Sequence, residues 1–416
     1  MAAFRTKDIS LRALATAMAL FFVLHGGAQE RDMSIRAGAD RLTIGSFRDS
    51  YTSLGLNSAL LELDFHTGTS SKGEGFAKAW NYPVFGIGLS YNTLSDVKFK
   101  SAHGHYSDMV TAYGVMSRDL VRTGHFSFGY DVSTGLSYSD SYYNPLDNGA
   151  NWFFSSPVLI FVSGGGHLAW MPGSRIEFIA DISVRHNSSA RFAYPNGGLN
   201  YWGGGLSARY HFHGRKDLRG NVFTEPKVPA ELYRRGWSLE VYAGGGVHKC
   251  AAEWNAAKKT MTKEEFASAS LRKWPMASLS ADLIYRAGGR FGLGLTVDGF
   301  YNSNTDRLKW SDEVVYGEEA VAESKGYAPL SLGGGLVQEV FYKEFALYVQ
   351  EGLYAYRHMG IHGDHGRLYE RAGVRYYPHS LAPFFFSACI KAHKFKADYL
   401  DFTVGIRLGR IKNQPH

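Results

Sequence analysis

The sequence predicts an all-β protein that crosses a membrane as an antiparallel β-barrel, and three observations carry this prediction. First, segments of alternating bulky and small or polar residues recur, as in the run from Phe126 to Tyr138. Such alternation is typical of barrel strands that present one face to lipid and the other to the lumen. Second, 15% of the 416 residues are aromatic and 48 are glycine. Third, the chain after residue 28 has no run of the ~18 apolar residues that a membrane-spanning helix requires.

The first 28 residues have the pattern of a secretory signal peptide. Arg5, Lys7 and Arg12 precede an apolar run from Ala13 to Leu24, and small residues follow as far as Ala28. This order of charged, apolar and small residues is typical of a segment removed on export. We therefore expect a mature chain that begins near residue 29 and, given its alternating strands, lies in the bacterial outer membrane.

Residues 29–213 are expected to form the first barrel. Eight candidate strands follow one another in this part of the chain, at residues 35–47, 55–65, 85–91, 106–120, 126–138, 157–171, 175–188 and 200–212. Short connections at residues 121–124 and 171–174 alternate with long ones at residues 139–154 and 187–199. Barrels of this kind have short periplasmic turns and long outer loops. The connection at residues 187–199 is therefore expected at the outer rim.

Residues 214–236 interrupt the alternation with a charged segment that we interpret as a linker. Residues 237–416 then contain about eight further candidate strands, at 237–247, 277–285, 291–301, 329–341, 345–356, 367–377, 384–392 and 400–408. Long breaks at residues 249–275 and 304–328 again fall on the outer side. Two equal sets of strands predict two tandem eight-stranded barrels, and one barrel of about sixteen strands is the alternative that the same pattern allows.

One predicted hairpin of the first half places polar side chains on a lipid-facing surface. The residues of even number from 176 to 184 are apolar, and His186 and Ser188 continue their parity. On the returning strand, Asn200 has the parity of the apolar positions that begin at Trp202. An ionisable residue on the lipid side of a membrane strand is a candidate for function. We therefore expect His186, Ser188 and Asn200 to emerge together at the outer rim.

The same hairpin carries a family resemblance. His186-Asn-Ser188-Ser-Ala190, followed by Pro195-Asn196-Gly-Gly-Leu-Asn200, resembles the active-site hairpin of the PagL-type lipid A deacylases. These are outer-membrane barrels that hydrolyse the ester at position 3 of lipid A. The resemblance extends over residues 80–212, within which residues 144–151 also look like the acyloxyacyl-hydrolase relatives of Bacteroidetes-type bacteria.

The resemblance implies a role for each of five residues. Ser188 would be the nucleophile and His186 its general base. Asn196 and the backbone N–H groups near Ala190 would stabilise the oxyanion. Asn200 stands where the family usually has a Glu that orients the histidine. An amide can hold an imidazole in place, but it cannot neutralise the imidazolium that forms.

The implied function is hydrolysis of an ester-linked acyl chain, at position 3, of lipid A or lipopolysaccharide in the outer leaflet. No cofactor is expected, and no metal, because no His, Cys or carboxylate cluster has ligand spacing. A nucleic-acid partner is not expected either. The net charge of +7 fits attraction to anionic lipid headgroups or simple solvation of loops equally well. Oligomeric state is left open.

The alternative function is a non-catalytic outer-membrane barrel, either a channel or a structural protein. The lumen distinguishes these alternatives, since two small barrels are filled by side chains whereas one wide barrel conducts ions. The second half also contains a candidate cluster, Lys391-Ala-His393 with Asp398 and Asp401, on a hairpin that looks like a shortened copy of the first. Its parity favours a polar network in the lumen over a lipid-facing site.

Overall fold

The computed structural model describes residues 33–46, 48–67, 77–78, 80–215, 220–221, 234–269, 271–287, 290–363, 366–409 and 412–413. The predicted signal peptide, residues 1–28, lies outside this part of the chain, and so does most of the predicted linker. The described residues form two closed antiparallel β-barrels, each of eight long strands.

The first barrel is built from strands β1 to β8. In chain order these are Met33–Ile44, Gly55–His66, Val84–Asn92, Met109–Arg122, Phe126–Ser139, Val158–Trp170, Ile176–Ser188 and Leu199–His211. Each strand pairs with its neighbour in sequence, and β1 closes the barrel by pairing with β8. The sheet therefore has no unpaired edge among its long strands, as a barrel surrounded by lipid requires.

The second barrel repeats this arrangement with strands β9 to β16. They are Arg234–Lys249, Lys273–Ala287, Phe291–Asn302, Leu330–Tyr342, Phe345–Tyr356, Leu368–Tyr376, Phe384–His393 and Lys396–Leu408. Strand β9 pairs with both β10 and β16, which closes this barrel separately from the first. The prediction of two tandem eight-stranded barrels is thus confirmed, and the alternative of one barrel of about sixteen strands is wrong.

Short elements decorate the ends of the barrels. The helices are α1 (Ala251–Thr260), α2 (Lys263–Ser268), α3 (Thr305–Tyr316), α4 (Glu318–Ala322) and α5 (Gly360–Gly363). Single 3-10 turns occur at Arg48–Ser50, Leu94–Asp96 and His379–Leu381, and short strands at Tyr51–Ser53, Lys98–Phe99, Gly220–Asn221 and Lys412–Asn413. No helix in the described ranges is long and apolar enough to cross a membrane.

The two connections that the sequence analysis treated as long breaks, residues 249–275 and 304–328, contain four of these helices. They lie at the outer end of the second barrel. In α1 the sequence Ala-Ala-Glu-Trp-Asn-Ala-Ala-Lys-Lys-Thr is rich in alanine, which has the highest helix propensity. Helix α2 begins with a capping box, in which Thr262 and Glu265 bond each other's backbone N–H groups. Local propensity therefore explains these helices.

The alternation of side chains along each strand separates an apolar outer face from a charged lumen. On β7, Val184 is 62% exposed while its neighbour Arg185 is buried. Ion pairs between opposite charges cross the first lumen, namely Arg36 with Glu62 and Asp181, Arg209 with Asp64 and Glu177, and Arg185 with Asp40. The parity predicted from the sequence is therefore the parity of the folded strands.

The second lumen is filled in the same way around two arginines that are 0% exposed. Arg371 lies between Asp298 and Asp401, with nitrogen–oxygen distances of 3.2 and 2.8 Å. Arg375 contacts three carboxylates at 2.6 to 2.9 Å, those of Glu240, Asp282 and Glu339. Charges removed from water require partners of opposite charge.

An apolar cluster closes the outer end of the first lumen directly below the loops. Its buried members come from strands and loops far apart in sequence, and include Leu42, Ile44, Tyr51, Leu56, Phe99, Tyr106, Phe153, Phe154, Leu199 and Tyr201. Leu199 and Tyr201 flank Asn200 on β8. The cluster therefore anchors the inner side of the hairpin that carries the predicted site.

Replacement of Arg375 by Met should destabilise the second barrel by roughly 3–5 kcal/mol, because the buried Asp282 loses its cation and Glu240 and Glu339 keep only Arg407. The matched control is Lys309→Met, which removes a cation from an exposed pair with Glu313 on α3. The measurement is the temperature at which the folded, faster-migrating band is lost in heat-modifiability gels. Equal temperatures for the two variants would contradict the prediction.

Candidate active site

The hairpin of β7 and β8 carries the three residues predicted at the outer rim, and it brings two of them, His186 and Asn200, together. His186 and Ser188 end β7, and Asn200 is the second residue of β8. The strand register sets Asn200 directly opposite His186. Because opposite residues of an antiparallel pair have side chains on the same face, the two polar groups meet on the outer surface.

A hydrogen bond of 2.7 Å joins Nδ1 of His186 to Oδ1 of Asn200. An amide oxygen only accepts hydrogen bonds, so the Nδ1 atom of the imidazole carries the proton. The Nε2 atom is then left with a lone pair, which is the state that a general base needs. The amide of Asn200 therefore fixes both the orientation and the tautomer of the ring.

Ser188 follows His186 on the same face, roughly 6.6 Å further along the strand. Its side chain is only 4% exposed. No hydrogen bond joins the Ser188 hydroxyl to the His186 ring in the part of the chain that the structure describes. Contacts of this kind are often long without substrate and shorten in the complex. The geometry thus supplies a base with a fixed tautomer and a serine two residues away from it.

The loop at residues 140–157 explains why Ser188 is less open than its parity alone indicates. The backbone carbonyls of Trp152 and Phe153 accept hydrogen bonds from Gly197 N–H at 2.9 Å and Gly198 N–H at 3.3 Å. This loop therefore lies on the connection between β7 and β8 and covers the end of β7. The outward face of β7 is therefore shielded from solvent at Ser188.

Asn196 is held by hydrogen bonds within the hairpin loop. Its Oδ1 atom accepts from both the N–H and the hydroxyl of Ser189, each at 2.9 Å. The amide nitrogen of Asn196 is then the group left to donate to a substrate. Ala190 is fully buried and follows Ser188 by two residues. Both predicted oxyanion donors therefore lie in the loop that follows Ser188.

Gly198 is a site residue to which the sequence analysis gave no role. Its φ of +66° favours glycine, and a Cβ atom there would stand 2.7 Å from Cε1 of His186. Only a residue without a side chain therefore leaves room for the imidazole in this position. The signal was present in the Pro195-Asn196-Gly-Gly run, in which a turn glycine follows the predicted oxyanion donor.

The inner side of the same hairpin is fixed by Asn187, which faces the lumen. Its Oδ1 accepts a hydrogen bond of 2.7 Å from the Tyr201 hydroxyl, and its Nδ2 donates one of 2.7 Å to the Ser137 hydroxyl. Since Asn187 lies between His186 and Ser188, these bonds determine where the two outward side chains emerge.

The second-half cluster lies inside the second barrel. Lys391, His393 and Asp398 are all buried, with Nζ of Lys391 3.0 Å from Oδ2 of Asp398. The Tyr354 hydroxyl is 2.9 Å from Nε2 of His393. These residues form a polar network of the lumen, away from the lipid-facing surface.

Within the described ranges, no group of three or more His, Cys, Asp or Glu side chains is arranged to hold a metal ion. Cys250 and Cys389 are both free and buried.

Two closed barrels with apolar outer faces, charged lumens and a His/Asn/Ser group at one outer rim define a transmembrane β-barrel protein. Residues 237–410 match the family model PagL_C, described as acyloxyacyl hydrolase, C-terminal domain. The second barrel is therefore similar to the C-terminal domain of the acyloxyacyl hydrolases, which agrees with the predicted resemblance to PagL-type proteins. The resemblance seen in the sequence lies in the first barrel, whereas the family model matches the second.

Solved structures similar to the chain include the outer-membrane enzyme PagL, at 12% identity and a TM-score of 0.28, covering 42% of this chain and 97% of that one. The beta domain of the Bordetella autotransporter BrkA is 10% identical with a TM-score of 0.24, and the match covers 91% of this chain and 99% of that one. CdiB from Acinetobacter baumannii is 10% identical with a TM-score of 0.16, and the match covers 91% of this chain and 60% of that one. Comparison with curated proteins gives no match.

Gly198→Ala should displace the His186 ring and strain the backbone, because the added methyl group would overlap the imidazole at a positive φ. We expect any ester hydrolysis to fall at least about tenfold, since small misplacements of catalytic groups have effects of this size or larger. The matched control is Gly173→Ala in a turn at the opposite end of the barrel, where a Cβ meets no atom within 4 Å. Equal rates for both variants, measured on purified folded protein, would exclude this role for Gly198.

Proposed function

We propose that this protein hydrolyses an ester-linked acyl chain, at position 3, of lipid A in the outer leaflet of the bacterial outer membrane. The observation that carries the proposal is the 2.7 Å hydrogen bond between His186 and Asn200 on an outward face, two residues before Ser188. A histidine with a fixed tautomer beside a serine is the arrangement used for nucleophilic acyl transfer. The match of the second barrel to an acyloxyacyl hydrolase domain supports the same chemistry.

In the proposed mechanism, the Ser188 hydroxyl attacks the ester carbonyl while Nε2 of His186 removes its proton. Negative charge develops on the carbonyl oxygen, and the Ala190 N–H and the amide nitrogen of Asn196 donate hydrogen bonds to it. The tetrahedral intermediate collapses to an acyl-serine, and His186 returns the proton to the departing lipid alcohol. Water activated by the same histidine then releases the fatty acid and restores Ser188.

The position of the site favours a lipid substrate. His186 and Asn200 continue the apolar outer face of the hairpin, and the adjacent outward residues Val184 and Trp202 are exposed. A lipid that diffuses in the plane of the membrane can therefore present its ester bonds to this rim without entering the lumen. The loop over Ser188 reduces contact of the serine with bulk water.

The lumens count against a channel. Arg371 and Arg375 fill the second barrel as completely buried cations that contact two and three carboxylates, and ion pairs cross the first barrel in the same way. Eight-stranded barrels of this size have an interior just wide enough for side chains. A structural role without catalysis remains the alternative that the experiment below would reveal.

Mass spectrometry of lipid A from cells that express the protein tests the proposal. We expect loss of one hydroxyacyl chain with the wild type, and unmodified lipid A with Ser188→Ala or His186→Asn. Ser174→Ala and His125→Asn are the matched controls, because both residues are exposed at the opposite end of the first barrel. Unchanged lipid A with correctly inserted wild-type protein would overturn the proposed function.

Asn200→Glu should raise the rate, because a carboxylate can stabilise the imidazolium that an amide only orients. The gain expected in kcat is on the order of 10- to 100-fold, smaller than the ~10⁴-fold loss when the acid of a serine protease is exchanged for an amide, because that loss comes from the wrong tautomer and Asn200 already fixes the tautomer of His186. Asn57→Glu is the control, since it adds the same charge at an exposed position on β2. If Asn200→Glu lowers the rate of a working enzyme, Asn200 is not the residue that orients His186.

A further inference from the structure

The loop that joins β7 to β8, residues 189–198, contacts the second barrel as well as the first. Nη1 of Arg191 lies 3.0 Å from Oδ1 of Asp398, which belongs to β16. The Arg191 carbonyl accepts a hydrogen bond of 2.9 Å from the N–H of Lys249, the last residue of β9. One residue of this loop is therefore bound to the second barrel through both its side chain and its backbone.

Asp398 is itself fixed by groups of the second barrel. Its Oδ2 atom pairs with Nζ of Lys391 at 3.0 Å, and its Oδ1 atom is 3.2 Å from Nδ1 of His248. The other ring nitrogen of His248 is 3.4 Å from Nδ2 of Asn304. The carboxylate that receives Arg191 consequently has a position set by three residues that do not belong to the first barrel.

Aromatic packing between the same loops adds to this contact. Trp254 of α1 packs edge to face against Tyr194 of the hairpin loop, with ring centroids 5.1 Å apart. It also packs against Trp152, which lies in the loop that covers the end of β7, at 5.8 Å. Lys258, one turn further along α1, lies 4.3 Å from the centre of the Trp152 ring. Helix α1 thus supports both loops around Ser188.

The hairpin loop needs external support because two successive residues have left-handed backbone geometry. Ala190 has a φ of 45° and Arg191 a φ of 62°. Residues other than glycine rarely adopt such angles, and they persist only where the surrounding structure holds them. The N–H of Ala190 is a proposed oxyanion donor, so the geometry of this pair determines the direction of that donor.

We propose that the second barrel is a positioning module for the first, and that Asp398, through its ion pair with Arg191, holds the Ala190 N–H toward the reacting carbonyl. Arg191 and Asp398 are positioning residues, since neither contacts the substrate. The expected effect on the rate of ester hydrolysis rests on the proposed function. The docking of the loop itself can be measured without any activity.

The kinetic consequence is specific. An oxyanion donor acts mainly on the transition state, so its misplacement lowers kcat and leaves KM nearly unchanged. A defect in lipid binding or in folding would instead raise KM or reduce the amount of folded protein. Separate determination of kcat and KM therefore distinguishes positioning from the other roles.

Two variants of Arg191 and one of Asp398 test the inference in purified, micelle-inserted full-length protein. Arg191→Gln removes the charge but keeps a side chain of similar reach, and Arg191→Lys retains the charge. Asp398→Asn alters the other partner, and the double variant Arg191→Gln/Asp398→Asn completes the cycle. Lys309→Gln, which removes a lysine charge from an exposed pair on α3, is the matched control. Heat-modifiability gels confirm folding of each variant.

The first readout is hydrogen–deuterium exchange of the backbone amides of residues 189–198. We expect exchange in this segment to become at least about fivefold faster in Arg191→Gln, because fewer contacts must break for the loop to open locally. Arg191→Lys should restore much of the protection, and Lys309→Gln should leave it as in the wild type. Exchange unchanged in Arg191→Gln would overturn the inference, whatever the outcome for the proposed function.

The second readout is the hydrolysis of ester-linked acyl chains of lipid A by the same preparations. Arg191→Gln should lower kcat by about tenfold or more with little change in KM, as expected for a misplaced catalytic group. In the Asp398→Asn background, Arg191→Gln should have no further effect, since the pair acts as a unit. Additive effects would overturn the inference. A wild type without turnover would refute the proposed function alone, and the exchange result would still decide whether the loop is docked.

Discussion

The pairing of opposite charges inside two narrow, closed sheets is the constraint on which the rest of the structure depends. Lipid requires that every backbone hydrogen bond be made within the barrel and that outward side chains be apolar. Polar residues must then face a lumen that is wide enough only for side chains. Arg375 satisfies this requirement by contacting three carboxylates, and Arg36 does so by contacting two. The alternation of apolar and polar residues along each strand follows from this constraint.

The same constraint determines the candidate site. A shift of one residue in the pairing of β7 and β8 would turn His186 into the lumen and Arg185 toward lipid. The buried ion pair of Arg185 with Asp40 and the hydrogen bond of Asn187 with Tyr201 both oppose such a shift. The position of His186 opposite Asn200 is thus secured by inward residues that take no part in chemistry.

Alternation is a local property, so strands, face parity and the two-barrel division could be predicted from the sequence. The helices of the second barrel's outer connections were missed, although the alanine-rich α1 was readable from its propensity. Other features depend on contacts between distant parts of the chain, and no local pattern reports them. The cover over Ser188 comes from Trp152 and Phe153, and the partner of Arg191 is Asp398, 207 residues further on. The roles of Ser188 and Asn196 stay predictions.

The two barrels differ at the outer rim in the hairpin formed by their last two strands. Strands β15 and β16 are the seventh and eighth of their barrel, as β7 and β8 are of theirs. Only Lys394 and Phe395 connect them, both with positive φ, as a tight two-residue turn requires. Such a turn has no room for a loop that carries oxyanion donors, and the histidine of this hairpin, His393, faces the lumen. The second barrel has no such loop, but it presents a fixed carboxylate at its outer rim. This carboxylate is that of Asp398, which binds Arg191 in the loop of the first barrel.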